Sequence, residues 1–245
     1  MSLAPALKRL WTQSEAAAIL RLMEPRGAYT AERAAALSGV PKSTVHYWAR
    51  QDILVPSVSP ERVKLWSYGD LMALRTIYWL RQTKHDDSGR EVPRTAMKAV
   101  RRALREIAAL ELDLWSEDDA PLVAVDRSGG IVIQHDGEAQ RPGGQSILGA
   151  GMLDLLAPFT SREGLRGPDL SAPRPLLRIV PGKLGGSPHV LHTRLESQAL
   201  GALAESGLEQ AKIYRLYPDI EPAAIEDALD LERQLAQNLH PALAA

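Results

Sequence analysis

Apolar positions along the first 110 residues recur at spacings of three and four, the period of helices with one buried face. Ser14 to Met23 is the first such stretch, closed by the stop signal EPRG. In the second, residues 31 to 50, Ala34, Ala35, Val40, Val45 and Trp48 fall where two short helices would press together about a turn at Gly39. Leu71, Leu74, Ile77 and Leu80 mark a third helix, Gly69 to Gln82, introduced by SYGD, a serine and an aspartate spaced as in a capping box. A fourth follows Pro93, with Met97, Val100, Leu104 and Ile107 as a stripe suited to packing or to a short coiled coil. Lys98, Arg101, Arg102 and Arg105 occupy its other face.

From Pro121 the pattern changes to period two. LVAVD and IVIQ flank RSGG, which predicts a β-hairpin with a glycine-assisted turn. An apolar helix is expected from about Ser146 to Leu156. Residues 157 to 188 hold six prolines and five glycines, a density that predicts an irregular linker with at most one strand, at LLRIV. Helical spacing then returns in three segments: Glu196 to Ser206, LEQAKIYRL, and AAIEDALDLERQL introduced by Pro222 at a first-turn position. The expected architecture is mainly α, in three parts: a helix-turn-helix head with its following helix at 1–115, a β-hairpin, short helix and linker at 116–188, and a three-helix region at 189–245.

A chain of 245 residues, 45% of them hydrophobic, can bury a core of one or two domains. No apolar run approaches the roughly 18 residues a membrane helix needs, and charges interrupt the N-terminus where a secretory signal would be apolar, so a cytoplasmic location is expected. Cysteine is absent, which excludes disulfide scaffolds, thiolate catalysis and thiolate metal sites. Charge divides the chain: residues 1–105 hold 18 Lys and Arg against 9 Asp and Glu, and the remainder 11 against 21. A basic head suits phosphates, whereas an acidic body suits a protein partner.

The helix-turn-helix pattern leaves Lys42, Ser43, Thr44, His46, Tyr47 and Arg50 outward on its second helix. Short hydroxyl donors at the start of a helix and cations farther along suit a helix laid in the major groove of DNA. The run YTAERAAALSGVPKSTVHYWARQDILVPS, continuing through VKLWSYGDLMALRTIYWLRQ, resembles the winged helix-turn-helix of the MerR family over about residues 29–83. Trp66 and Tyr68 stand at that family's aromatic strand, and the resemblance implies a hairpin wing on which Arg62 and Lys64 contact phosphates. The cysteines of its metal-sensing members are missing.

The tail holds four cations against nine acids from Thr193 onward, which argues against a second DNA reader. Gly185 and Gly186, Thr193 with Arg194, and Tyr217 with Pro218 make it similar to a small helical antitoxin module. A MerR-like head joined to such a module resembles VapB-type antitoxins, which implies operator DNA and a PIN-domain ribonuclease toxin as partners. Arg194, Tyr214, Arg215 and Tyr217 are the expected toxin contacts, since aromatic and arginine side chains dominate interfaces. The alternative is a MerR-like transcription regulator whose middle and tail sense a small molecule.

Three further motifs carry less. His189 and His192 form an H-x-x-H, but in turn or extended structure the two are expected to face opposite ways. PGKLGGS has the residues of a phosphate loop in the wrong order, and SEDDA, residues 116–120, reads as a charged link. No metal, no cofactor and no enzymatic activity are expected. A homodimer is expected, because one winged head reads only a half-site, with the Met97–Ile107 stripe, the hairpin around Ser128 or the tail as its interface.

Overall fold

The computed structural model describes residues 26–82, 84–85, 91–92, 94–110, 112, 115–135, 138–140 and 151–240. The helix expected at Ser14–Met23, the first half of that expected at Ser146–Leu156, and the last five residues lie outside them. Helices dominate the described residues, with small antiparallel sheets between them.

The first helix, α1 (Ala31–Ser38), starts at Thr30, whose hydroxyl accepts the Arg33 N–H at 3.2 Å, and ends where Gly39 turns left-handed at φ 71°. The second, α2 (Lys42–Arg50), follows directly after Pro41. α3 (Tyr68–Arg81) opens on the expected capping box, Ser67 and Asp70 each bonding the other's backbone N–H. Leu71, Leu74, Ile77 and Leu80 are all buried on it. Two short strands, β1 (Lys84–His85) and β2 (Glu91–Val92), pair before α4 (Met97–Ala108). The stripe on α4 is spent within the chain: Val100, Ala103 and Ile107 are buried against α3 and the hairpin that follows, and Met97 and Leu104 pack beside them. It is therefore not a free dimerisation seam.

The hairpin is β3 (Leu122–Asp126) and β4 (Ile131–His135), turning at Gly129 with φ 80°. With β5 (Glu138–Gln140) and β6 (Met152–Asp154) it forms a sheet of order β5-β4-β3-β6. The described end of the expected 146–156 helix is thus a strand, antiparallel to β3 with Leu153 opposite Val125. A short apolar run carries no period long enough to separate helix from strand, and the free edge of β3 decides it.

Residues 157–188 are not a spacer. Their regular structure is slight: β7 (Phe159–Thr160) pairs with β8 (Arg166–Gly167), and β9 (Leu177–Arg178) pairs with β10 (His189–Val190). Yet Phe159, Leu165, Leu170, Leu177, Ile179 and Val180 are buried, most of them in the core that also holds α1 and α3. Proline-rich backbone offers few ladder hydrogen bonds, so side chains elsewhere satisfy its carbonyls. The hydroxyl of Tyr68 donates to Leu170 O at 2.7 Å.

Arg75 serves two more of them, at Ala157 and Pro168, and ties the segment to its neighbours. Fully buried on α3, its guanidinium donates to six carbonyls: Leu37 and Ser38 at the end of α1, Leu155, Leu156 and Ala157 beyond β6, and Pro168. Burial lowers its pKa to about 10, so it stays charged at neutral pH. The last carbonyls of a helix lack intrahelical donors and carry the negative end of its dipole, which favours a cation there.

The C-terminal helices are α5 (Ser197–Glu205), α6 (Gln210–Leu216) and α7 (Pro222–Leu239), the last with proline in its first turn. α7 packs on α5 and on α1. Arg33 of α1 meets Glu232 of α7 through two hydrogen bonds of 2.6 and 2.8 Å, and Asn238 donates to Ala36 O at 2.9 Å. The regions expected to be head, linker and tail share one hydrophobic core.

Candidate nucleic-acid interface

The two helices of the turn meet through small and branched residues. Ala34, Ala35, Val40 and Val45 are buried, and Trp48 and Ala49 close the packing side of α2. The opposite side of α2 is open: Lys42, Ser43, Tyr47 and Arg50 are exposed, with Thr44 and His46 half-buried between them. All six candidate contacts thus lie on the outward side of one helix. Lys42 pairs with Glu32 at 2.8 Å, and its hydrogen bond is the main cause that holds the Glu32 carboxyl below its ordinary range. A phosphate reaching Lys42 must displace that carboxylate.

Beyond α2 the chain doubles back through Ser59 and Leu65, which exchange backbone hydrogen bonds of 3.1 and 2.9 Å. Arg62 and Val63 are exposed on the tip between them, and Lys64 Nζ donates to Pro60 O at 3.2 Å. This loop is held at its base by Asp70, which accepts from the Ser57 N–H at 2.9 Å and the Ser57 hydroxyl at 2.8 Å besides capping α3. Trp66 then pairs with Tyr29 in an antiparallel bridge that ties the loop to the start of α1. The capping signal was legible in SYGD. The second task of Asp70 was not, because nothing in local spacing links it to Ser57.

In the tail, Tyr214 and Arg215 lie on α6 and Tyr217 at its end; Arg215 is exposed and the two tyrosines are half-buried. Tyr214 donates to Glu226 at 2.9 Å. Arg194 is exposed before α5. Leu216, at 59% exposure, adds an apolar side chain beside them that sequence reasoning missed.

The three motifs judged weakest in the sequence converge. One oxygen of Glu117, from SEDDA, accepts from Lys183 of PGKLGGS and faces His189 Nε2 at 2.8 Å. Its other oxygen accepts the His192 N–H at 2.9 Å and lies 2.9 Å from His192 Nδ1. His189 and His192 therefore address a single carboxylate, contrary to the expectation that they face apart, because His192 turns left-handed at φ 59° and brings its ring back. Among the described residues no group of three or more His, Asp and Glu is arranged to hold a metal ion.

Burial pushes the Glu117 carboxyl up, but the hydrogen bonds from Lys183, His189 and the His192 N–H outweigh it and bring the pKa down from 4.5 to about 2. A carboxyl lowered by folding stabilises the folded state above its unfolded pKa and loses that contribution as pH falls through the folded one. Acid titration of the E117Q variant is therefore expected to show a smaller loss of stability than wild type between about pH 4.5 and 2. Equal slopes in denaturant melts across that window would refute it.

Comparison with known proteins covers both ends of the chain. Residues 29–85 match the model of the MerR HTH family regulatory proteins, and residues 178–231 match a protein of unknown function (DUF433). No curated protein and no solved structure matches the chain. No helix among the described residues is long and apolar enough to cross a membrane. Residues 29–85, the helix pair and following loop described above, are thus similar to a MerR-family helix-turn-helix.

Proposed function

We propose that the protein is a sequence-specific DNA-binding regulator whose α2 reads the major groove and whose 59–65 loop is the wing, with Arg62 and Lys64 on phosphates. The observation that carries this reading is the division of α2: Val45 and Trp48 hold the packing while Lys42, Ser43, Thr44, His46, Tyr47 and Arg50 face outward. Arg50→Ala is expected to weaken binding to the DNA upstream of its own gene by about 1–3 kcal/mol, the cost of a lost base or phosphate contact. Its melting temperature should be unchanged. Gel-shift titrations at fixed salt read the first quantity, and undiminished affinity would remove α2 from the groove. A dimer on an inverted repeat would supply the affinity one half-site lacks.

For the tail we propose the antitoxin role: neutralisation of a PIN-domain ribonuclease through Arg194, Tyr214, Arg215 and Tyr217. The acidic balance of the tail and the exposed Leu216 and Arg215 on α6 support a protein partner. Because α7 is built onto α1, the test is co-expression of the whole chain with the product of the neighbouring gene. Growth rescue that Arg215→Glu abolishes, with DNA binding intact, supports the role. Absence of rescue leaves the ligand-sensing regulator as the better account.

A further inference from the structure

The cluster around Glu117 is built like a receptor and its ligand. Lys183, His189 and His192 all come from one short segment, residues 183–192, and three hydrogen bonds from it converge on the two oxygens of a carboxylate delivered from far away in sequence, with His192 Nδ1 a further neighbour at 2.9 Å. Arg178 Nε adds a hydrogen bond of 3.0 Å to the main-chain carbonyl of the same glutamate. The segment adopts strained backbone to do this: Leu184 and His192, neither of them glycine, have φ of 52° and 59°. Left-handed conformation is unfavourable for a residue with a side chain, and such strain collects where geometry serves a site.

The ownership of the two halves is informative. The donors, from Arg178 to His192, lie inside the 178–231 unit that recurs in other proteins. Glu117 lies in the connector, outside both matched regions. The receptor thus belongs to the C-terminal unit and its occupant to this chain's particular linkage. Arg178 also lines an open groove of about 600 Å³ between α7 and the proline-rich segment, walled by Pro158, Pro168, Pro173 and Pro175. Arg166 in that groove makes no hydrogen bond or ion pair through its guanidinium among the described residues. Arg178, which bonds the Glu117 main-chain carbonyl, is the residue the cradle shares with that groove.

We propose that residues 178–192 form a peptide-binding site for an acidic segment of a partner protein, occupied in the resting chain by its own Glu117. The ligand is a peptide rather than a free anion because the cradle grips side-chain carboxylate and main-chain carbonyl of one residue together. The acidic neighbours Asp118 and Asp119 are exposed, as they would be in a segment read mainly through one anchor. Release would be felt at the head, since the turn after Lys183 is bonded to it: Ala28 N–H donates to Gly185 O at 2.9 Å and the Tyr29 hydroxyl to Gly186 O at 2.7 Å. The proposal does not rest on the antitoxin reading.

The test uses the full chain carrying Glu117→Gln. A carboxamide offers one acceptor oxygen and turns an NH2 toward two donors, so the connector should leave the cradle. The probe is a fluorescent peptide of residues 115–121, with a control peptide carrying glutamine in place of its one glutamate. E117Q is expected to bind the acidic peptide at least about tenfold tighter than wild type, a difference well outside titration error. Binding should disappear with the control peptide and in E117Q combined with Lys183→Met. Should E117Q be unfolded alone, recovery of its circular dichroism on adding the acidic peptide, and not the control, counts as binding. Equal binding to wild type and E117Q, or none to either, overturns the proposal. A wild-type dimer by light scattering that E117Q dissociates also overturns it, assigning the cradle to the connector of a second copy.

Discussion

Replacing Arg75 with methionine is expected to cost on the order of 3–5 kcal/mol, the range for removing one member of a buried charged network. The methionine fills much of the space and spares the desolvation of a cation, yet six carbonyls lose the guanidinium at once, Leu156 O keeping the Leu170 N–H at 2.8 Å. Each buried carbonyl left without a partner costs about 1–3 kcal/mol unless water reaches it, so relief of the charge cannot compensate. Against a total stability of about 5–15 kcal/mol this is a large fraction. Chemical denaturation of R75M measured by both tryptophan fluorescence and circular dichroism checks it. Arg75→Lys should recover only part of the loss, because three donors on a flexible stem cannot serve carbonyls from three separate segments. A midpoint within error of wild type would show that the carbonyls find other partners. The same geometry means that truncation near Phe159 removes Pro168 from the cage and uncovers α1, so DNA binding is expected to require the middle of the chain.

The second large effect is expected at the turn of the helix pair. Gly39→Ala places a residue with a side chain at φ 71° and brings its Cβ to 2.5 Å from the backbone nitrogen of Gly167. The left-handed backbone costs about 1–2 kcal/mol. Overpacking against atoms that cannot rotate away adds about 1–3 kcal/mol. Because the turn sets the angle of α2, operator affinity should fall together with the melting temperature. Gly164→Ala is the matched control: its φ is 82° but nothing lies within 4 Å, so only the backbone cost applies. If G39A and G164A melt alike, the contact with Gly167 carries no energy.

Local signals by themselves determined the helix pair, the capped α3, the β3–β4 hairpin and the three last helices. Each rests on interactions between near neighbours: apolar period, a glycine at positive φ, a serine and an aspartate three apart, a proline in a first turn. The outward set on α2 was legible for the same reason, since fixing the buried face of a helix fixes the other. Tertiary structure alone decided how the parts join. In sequence Arg75 is a cation amid apolar neighbours, and its partners are backbone carbonyls at 37, 38, 155–157 and 168, which no residue type marks. Density of proline and glycine in 157–188 correctly foretold little regular structure but said nothing of burial, because irregular backbone packs once donors from elsewhere satisfy it. Glu117, Lys183, His189 and His192 each read as an ordinary surface residue in its own motif. Their convergence needs a chain reversal at His192 and a fold that brings residue 117 beside residue 183, and only the packed core supplies both.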